Sequence, residues 1–183
     1  VQDNQHAFFT YSMFQENQKL RRPFYPRAER DVLIGKKNPY EIPRQKGEIR
    51  VLGCDFAFVD RKGNDRSAFT FMRLIPETKR YEREAGAIDV SCGYRRYVQY
   101  IETRPGGDMV LQARRIRQLF EDMDCDYLVL DLRNGGVACY DILARVQFDP
   151  DRNTEYSPLM AMNDNEIASR IKSEGAKPCV YVI

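Results

Sequence analysis

The sequence predicts an α/β protein with a mixed sheet, antiparallel over its first three strands and parallel afterwards, flanked by helices. Three observations carry that expectation. Two apolar runs, Val51 to Val59 and Ser67 to Ile75, are joined by a charged turn holding Lys62-Gly63-Asn64-Asp65, which is hairpin chemistry. A third run, Tyr94 to Glu102, has the two-residue alternation of a strand. Amphipathic and apolar stretches then take turns, so the order reads strand, strand, strand, helix, strand, helix, helix, strand.

Bulk properties narrow the class. With 183 residues there is enough chain for one core and little for two. Hydrophobic residues are 43% and charged residues 31%, a globular balance rather than a disordered one. Net charge is only +2, so any nucleic-acid surface has to be local. The cysteines Cys54, Cys92, Cys125, Cys139 and Cys179 are scattered without a CxxC pair. That pattern fits reduced, buried thiols in a cytosol better than a disulfide framework or a zinc site. The single histidine, His6, argues against histidine-based catalysis. No run is long and apolar enough to span a bilayer.

Taken in order, residues 3 to 19 read as a short amphipathic helix, with Ala7, Phe8, Tyr11 and Phe14 at helical spacing. Leu20 to Arg50 is basic and interrupted by Pro23, Pro26, Pro39 and Pro43. It reads as a solvated linker or arm with a short strand at Val32 to Ile34, so residues 1–49 are set apart from a domain at 50–183. The hairpin follows, then a charged loop from Pro76 to Ile88 and the third strand. Pro105-Gly106-Gly107 ends that strand, and Asp108 fits an N-cap. The helix from about Met109 to Met123 should bury Met109, Ala113, Ile116, Leu119 or Phe120, and Met123. Arg114, Arg115, Arg117, Gln118, Glu121 and Asp122 lie off that stripe. Asp126 to Asp131 reads as a buried strand closing on the turn Arg133-Asn134-Gly135-Gly136. A helix from Val137 to Phe148, a polar turn from Asp149 to Asn153 and an extended or irregular stretch from Tyr156 to Met162 follow. Asn163 or Asp164 caps a helix to about Ser173, ended by Gly175, and Cys179 to Ile183 forms the last strand. The chain starts at Val1 and stops inside that apolar run, which reads as a piece of a longer protein.

Two acids stand out. Asp55 lies within an apolar strand, where a carboxylate is costly to bury unless a cation meets it. Asp131 ends the strand YLVLD. On neighbouring strands both would reach one cleft, where two close carboxylates repel and a divalent ion relieves the strain. Oxygen-only ligands suit Mg²⁺ or Mn²⁺, and two such ions about 3.5–4 Å apart clamp the attacking and leaving oxygens at phosphorus. The plainer readings are an aspartate capping the next helix for Asp131, a turn residue for Asp65 and a structural acid for Asp141. Arg133 either faces phosphate or pairs with an acid. LVLD is also compatible with a Walker B strand, but no Walker A loop accompanies it.

The segments GCDFAFVDRKGNDRSAF and DYLVLDLRNGGVACYDIL resemble the C-terminal nuclease domain of the large terminase subunit of tailed bacteriophages. The resemblance covers roughly Arg50 to Ile183. It implies a ribonuclease H-like fold, with metal-binding acids at Asp55 in the "G-x-D-x-A" strand, Asp65 in the "D-x-S-A" segment and Asp131 before the glycine turn. It implies Mg²⁺- or Mn²⁺-dependent endonucleolytic cleavage of concatemeric double-stranded DNA in the bacterial host cytoplasm, with Asp55 and Asp131 catalytic. Its implied partners are an N-terminal packaging ATPase, a small terminase subunit and a portal. The family's last metal-binding acid would fall beyond Ile183. Other ribonuclease H-like nucleases of resolvase or transposase type, and a non-catalytic binding module, share the strand order. Arg114, Arg115, Arg117 and Arg133 are the candidate contacts to DNA phosphates.

Overall fold

A computed structural model describes residues 10–18, 22–57, 66–77, 93–133 and 135–183. Alternation makes the first strands. β1 (Ile49–Asp55) buries Arg50, Leu52 and Cys54 on one face, and β2 (Ser67–Pro76) buries Ser67, Phe69, Phe71 and Arg73. The two pair antiparallel, and β3 (Tyr94–Arg104) pairs antiparallel with β2 through an irregularity at Phe71/Met72. Asp108 then caps α3 (Met109–Asp122): its carboxylate accepts from the N–H groups of Val110 and Leu111. Upstream lie α1 (Tyr11–Asn17) and α2 (Glu29–Leu33). The chain returns through β4 (Tyr127–Leu130), which pairs parallel with β1, and runs on into α4 (Gly136–Leu143).

Several of the remaining elements differ in their bounds from the sequence expectation. The helix expected to reach Phe148 ends at Leu143, and β5 (Gln147–Asp149) and β6 (Thr154–Tyr156) form a separate hairpin. The stretch read as extended or irregular contains β7 (Leu159–Ala161). α5 (Asn165–Arg170) is capped by Asp164 as expected but stops before Ile171, which is extended. β8 (Lys177–Val182) is the last strand. Among the described residues the main sheet has six strands in the order β3-β2-β1-β4-β8-β7. Its β1, β4, β8 and β7 pair parallel, so the mixed α/β architecture with antiparallel and then parallel strands is observed.

One core lies on one face of this sheet. Leu52, Phe69, Phe71, Leu128, Leu130, Val180 and Val182 meet Ala113, Ile116, Leu119 and Phe120 of α3 and Cys139, Tyr140 and Leu143 of α4. Burial of this apolar surface is what holds the helices to the sheet.

The basic stretch before β1 is not a free linker. Phe24 is fully buried and packs edge-on against Phe71, with ring centroids 5.4 Å apart. Arg27 pairs with Asp122 at 2.8 Å, and Arg44 reaches Asp126 at 2.6 Å. Residues 22 to 48 therefore belong to the folded body. In place of the strand expected at Val32 to Ile34, Val32 and Leu33 end α2 and Ile34 is its C-cap. Its first turn carries Glu29 and Asp31, which suit the positive end of a helix. Of the amphipathic helix expected over 3 to 19, residues 11–17 form α1, with Tyr11 and Phe14 exposed; residues 3–9 and 19 lie outside the described residues.

The off-stripe positions of α3 are also corrected. Arg117, Gln118 and Asp122 are buried. Asp122 lies between Arg27 and Arg152, and Gln118 donates to Asp149 at 2.8 Å. Their partners come from the arm and the β5–β6 hairpin, which a helical period cannot reveal.

Candidate carboxylate site at the strand ends

The chain leaves the carboxyl ends of β1 and β4 toward opposite sides of the sheet. From β1 the chain turns to β2 on one side, whereas the strands after β4 lie on its other side. Such a switch point opens a crevice beyond the strand ends, the usual place for a ligand in an open α/β sheet. The register runs Val51↔Tyr127 to Cys54↔Leu130, so the next pair is Asp55 and Asp131. The Asp131 N–H donates to the Cys54 carbonyl at 3.3 Å, which carries the pairing to that point. Leu52, Cys54, Leu128 and Leu130 face the core, so by alternation Asp55 and Asp131 both face away from it. Asp55 closes its strand and is exposed, rather than sitting buried within it as the apolar run suggested.

Neighbouring contacts fix the backbone on either side. Ala57 N–H donates to the Ser67 hydroxyl at 3.0 Å, tying the segment after Asp55 to the start of β2. Leu132 N–H donates to the Ile183 carbonyl and Ile183 N–H to the Leu130 carbonyl, at 3.0 and 2.9 Å. The turn after Asp131 is tight: Gly135 has φ of 95°, the left-handed region that favours glycine. Gly136 begins α4 directly against Asp131, and a Cβ there would stand 1.9 Å from the Asp131 carbonyl oxygen. Gly106 makes a similar approach to Ala57, where a Cβ would stand 2.4 Å from the carbonyl oxygen. These glycines set the backbone beside the two acids, and the sequence marked them only as turns; for Gly136, a glycine at a helix start one residue past a turn is the available signal.

Gly136→Ala is therefore expected to move the Asp131 main chain or detach the start of α4. The cost is of the overpacking kind, about 1–3 kcal/mol. A urea unfolding curve measures it, and the Asp131 amide NMR signal should shift with it.

Arg133 dominates the electrostatics. Its Nε donates to Asp131 Oδ1 at 2.9 Å and Oδ2 at 3.1 Å, its Nη2 to Oδ2 at 2.6 Å, and its main-chain N–H to Oδ1 at 2.9 Å. The Arg133 hydrogen bonds hold the Asp131 carboxyl down at about 2. The Asp131 side chain is 15% exposed and that of Arg133 is 80% exposed, so the carboxylate is covered by its own loop rather than sunk in the core. The guanidinium pKa is raised, mainly by Asp131, with Asp55 adding a smaller attraction. One cation thus answers to both acids.

The other candidates divide. Asp65 lies outside the described residues. Asp141 pairs with Arg170 through two hydrogen bonds of 3.0 and 2.7 Å, a link between α4 and α5. Arg114 lies 3.6 Å from Asp151, and Arg115 is bound to Glu102 at 2.6 Å. Arg117 is 3% exposed, with its guanidinium stacked near Phe120 and Tyr156, and burial lowers its pKa. Its side chain is not on offer to a phosphate. Two arginines passed over in the sequence stand at the same end of the sheet as the acids. Arg66 precedes Ser67, which pairs with Arg104, next to the Asp55↔Ala68 pair. Both arginines are exposed.

The donor set is made of hard oxygens, and it already attracts a cation in the form of Arg133, so Asp55 and Asp131 fit a divalent ion such as Mg²⁺ or Mn²⁺. Among the described residues no group of three or more His, Cys, Asp or Glu side chains could hold a metal. The described cysteines, Cys54, Cys125, Cys139 and Cys179, are free and buried. Burial pushes the Cys54 thiol well up and that of Cys139 to about 12, which makes neither a ready nucleophile. Cavities of about 250 and 310 Å³ occur elsewhere, beside Arg152 and beside Asp141, and neither includes Asp55 or Asp131. No protein-family model matches the chain, and neither a curated protein nor a solved structure gives a match.

Proposed function

We propose that the chain carries the catalytic centre of a metal-dependent DNA endonuclease of the ribonuclease H-like class, and specifically the nuclease domain of a viral packaging terminase. The observation that carries this reading is the register match of Asp55 and Asp131 at the carboxyl ends of adjacent parallel strands. Asp55 and Asp131 would hold the ions, with Asp65 as a further ligand. Bound Mg²⁺ or Mn²⁺ would supply charge neutralisation at the attacking and leaving oxygens of a phosphodiester. The chain's own residues do the rest. The two strands hold the carboxylates in fixed relation, and Gly106 and Gly136 let the flanking backbone close in behind them. Arg66, Arg104 and Arg133 put positive charge along the rim, where a DNA backbone would lie.

The test is nicking of supercoiled plasmid. The protein is expected to convert it to open circles with Mn²⁺ or Mg²⁺ and to stop when EDTA removes the ion. Cleavage that continues in EDTA would contradict a metal-dependent reaction. One observation favours the second reading, a non-catalytic ribonuclease H-like module that binds DNA or protein: the described residues offer two acids at the site and no third. DNA retention without nicking at any Mn²⁺ concentration would support it.

A further inference from the structure

The contact between Arg133 and Asp131 bears on how such a site is switched. The guanidinium takes both oxygens of Asp131, at 2.9, 3.1 and 2.6 Å, and so occupies the lone pairs a metal ion would need. Yet its side chain is 80% exposed and pairs from two residues away, and among the described residues its only side-chain hydrogen bonds go to Asp131. A guanidinium built into the fold would be buried and braced, as Arg50 is by Glu48, Met123 and Ile42. Among the described residues Arg133 is hydrogen-bonded through its side chain to that carboxylate only, with Asp55 adding attraction, and an exposed side chain of this kind can turn outward along the same rim as Arg66 and Arg104.

We infer that Arg133 is a tethered counter-cation: it holds the Asp131 carboxylate until a divalent ion displaces it, and then turns to a phosphate of the nucleic acid. This rests on the metal-site reading given above. No bond is made or broken; one cation replaces another on the carboxylate, and the released guanidinium becomes a positioning group for DNA. Metal and DNA binding would then be coupled, because the ion frees the side chain that the phosphate uses.

The coupling gives Arg133→Ala two effects of opposite sign. Removing the competitor should tighten Mn²⁺ binding by roughly three- to tenfold, the scale of an exposed ion pair plus relief of charge repulsion. Removing the phosphate contact should weaken DNA binding in the presence of Mn²⁺ and flatten its salt dependence by about one unit of slope. Isothermal titration with Mn²⁺ alone, on the wild type, Arg133→Ala and Asp131→Asn, reads the first effect without any cleavage. Binding of a short DNA duplex, with Ca²⁺ in place of Mn²⁺ to keep it intact, reads the second. Tighter Mn²⁺ with weaker DNA in Arg133→Ala supports the inference. Unchanged or weaker Mn²⁺ in Arg133→Ala, while Asp131→Asn binds none, overturns it and leaves the metal site standing. Wild type and Arg133→Ala both failing to bind Mn²⁺ would remove the metal site, and the exchange with it.

Discussion

Asp55→Asn and Asp131→Asn are each expected to reduce Mn²⁺-dependent nicking by at least about 100-fold. Loss of an outer-shell partner alone costs about 10–100-fold in metal affinity or activity, and here a charged ligand itself is removed. Asparagine keeps the shape and one oxygen but halves the site's negative charge. The fold should survive, because Asp55 is exposed and Asp131 faces away from the core. Circular dichroism and the urea midpoint check that point. The two variants differ in one respect. Asp131→Asn also frees Arg133, so it should leave DNA binding intact or improved while nicking is lost. Nicking that persists in both variants would remove the metal assignment.

Glu48→Gln is expected to be the most destabilising single change among the polar residues considered. Glu48 accepts from Arg73 Nε at 2.7 Å and Nη2 at 2.9 Å, and from Arg50 Nε at 2.7 Å. The side chains of Glu48, Arg50 and Arg73 are 0%, 1% and 6% exposed. Arg50 also stacks over Phe24 at 5.4 Å, so this triad joins the arm to β1 and β2. Breaking a buried pair from one side leaves an uncompensated charge, at about 3–5 kcal/mol. Against a total stability of about 5–15 kcal/mol, that is a large fraction. Replacing all three by apolar residues of similar volume should recover much of the loss, since the desolvation cost disappears with the charges.

The same triad sets an acid limit. Burial pushes the Glu48 carboxyl up, but hydrogen bonds from Arg73, the Gln45 N–H and Arg50 outweigh it and hold the group at about 2, against an ordinary 4.5. A folded-state pKa below the unfolded one gives stability that is complete above about 4.5 and is lost as pH falls toward 2. The contribution is on the order of 3 kcal/mol. Urea midpoints measured from pH 6 to pH 2 should fall in this window for the wild type and fall less for Glu48→Gln.

What could be read from the residues follows from the range of the forces involved. β3, α3 and the caps at Asp108 and Asp164 rest on alternation, helical spacing and a side chain bonding two or three residues on, all local. The meeting of Asp55 and Asp131 was expected only on the condition that their strands adjoin, with Asp55 placed within its strand; β1 and β4 do adjoin, and β1 ends at Asp55. The β5–β6 hairpin was not legible. Its strands are three residues each, Phe148 is 58% exposed, and its buried strand residues are Tyr156 and Asp149, the latter satisfied by Gln118 of α3 and by Tyr156 across the hairpin. The arm was misjudged for the same reason. Its arginines look like solvated charge until Asp122, Asp124 and Asp126 are brought to them by the fold. The arginines of α3 show the converse, since Arg117 is off the apolar stripe yet buried under the hairpin and β8.

The most direct measurement is anomalous scattering from a crystal of the protein soaked in Mn²⁺. The account predicts a peak within coordination distance, about 2.0–2.3 Å, of carboxylate oxygens from both Asp55 and Asp131, with the Arg133 side chain turned away. A crystal saturated with Mn²⁺ that shows no peak between those two side chains, or shows Arg133 still seated on Asp131, would contradict it.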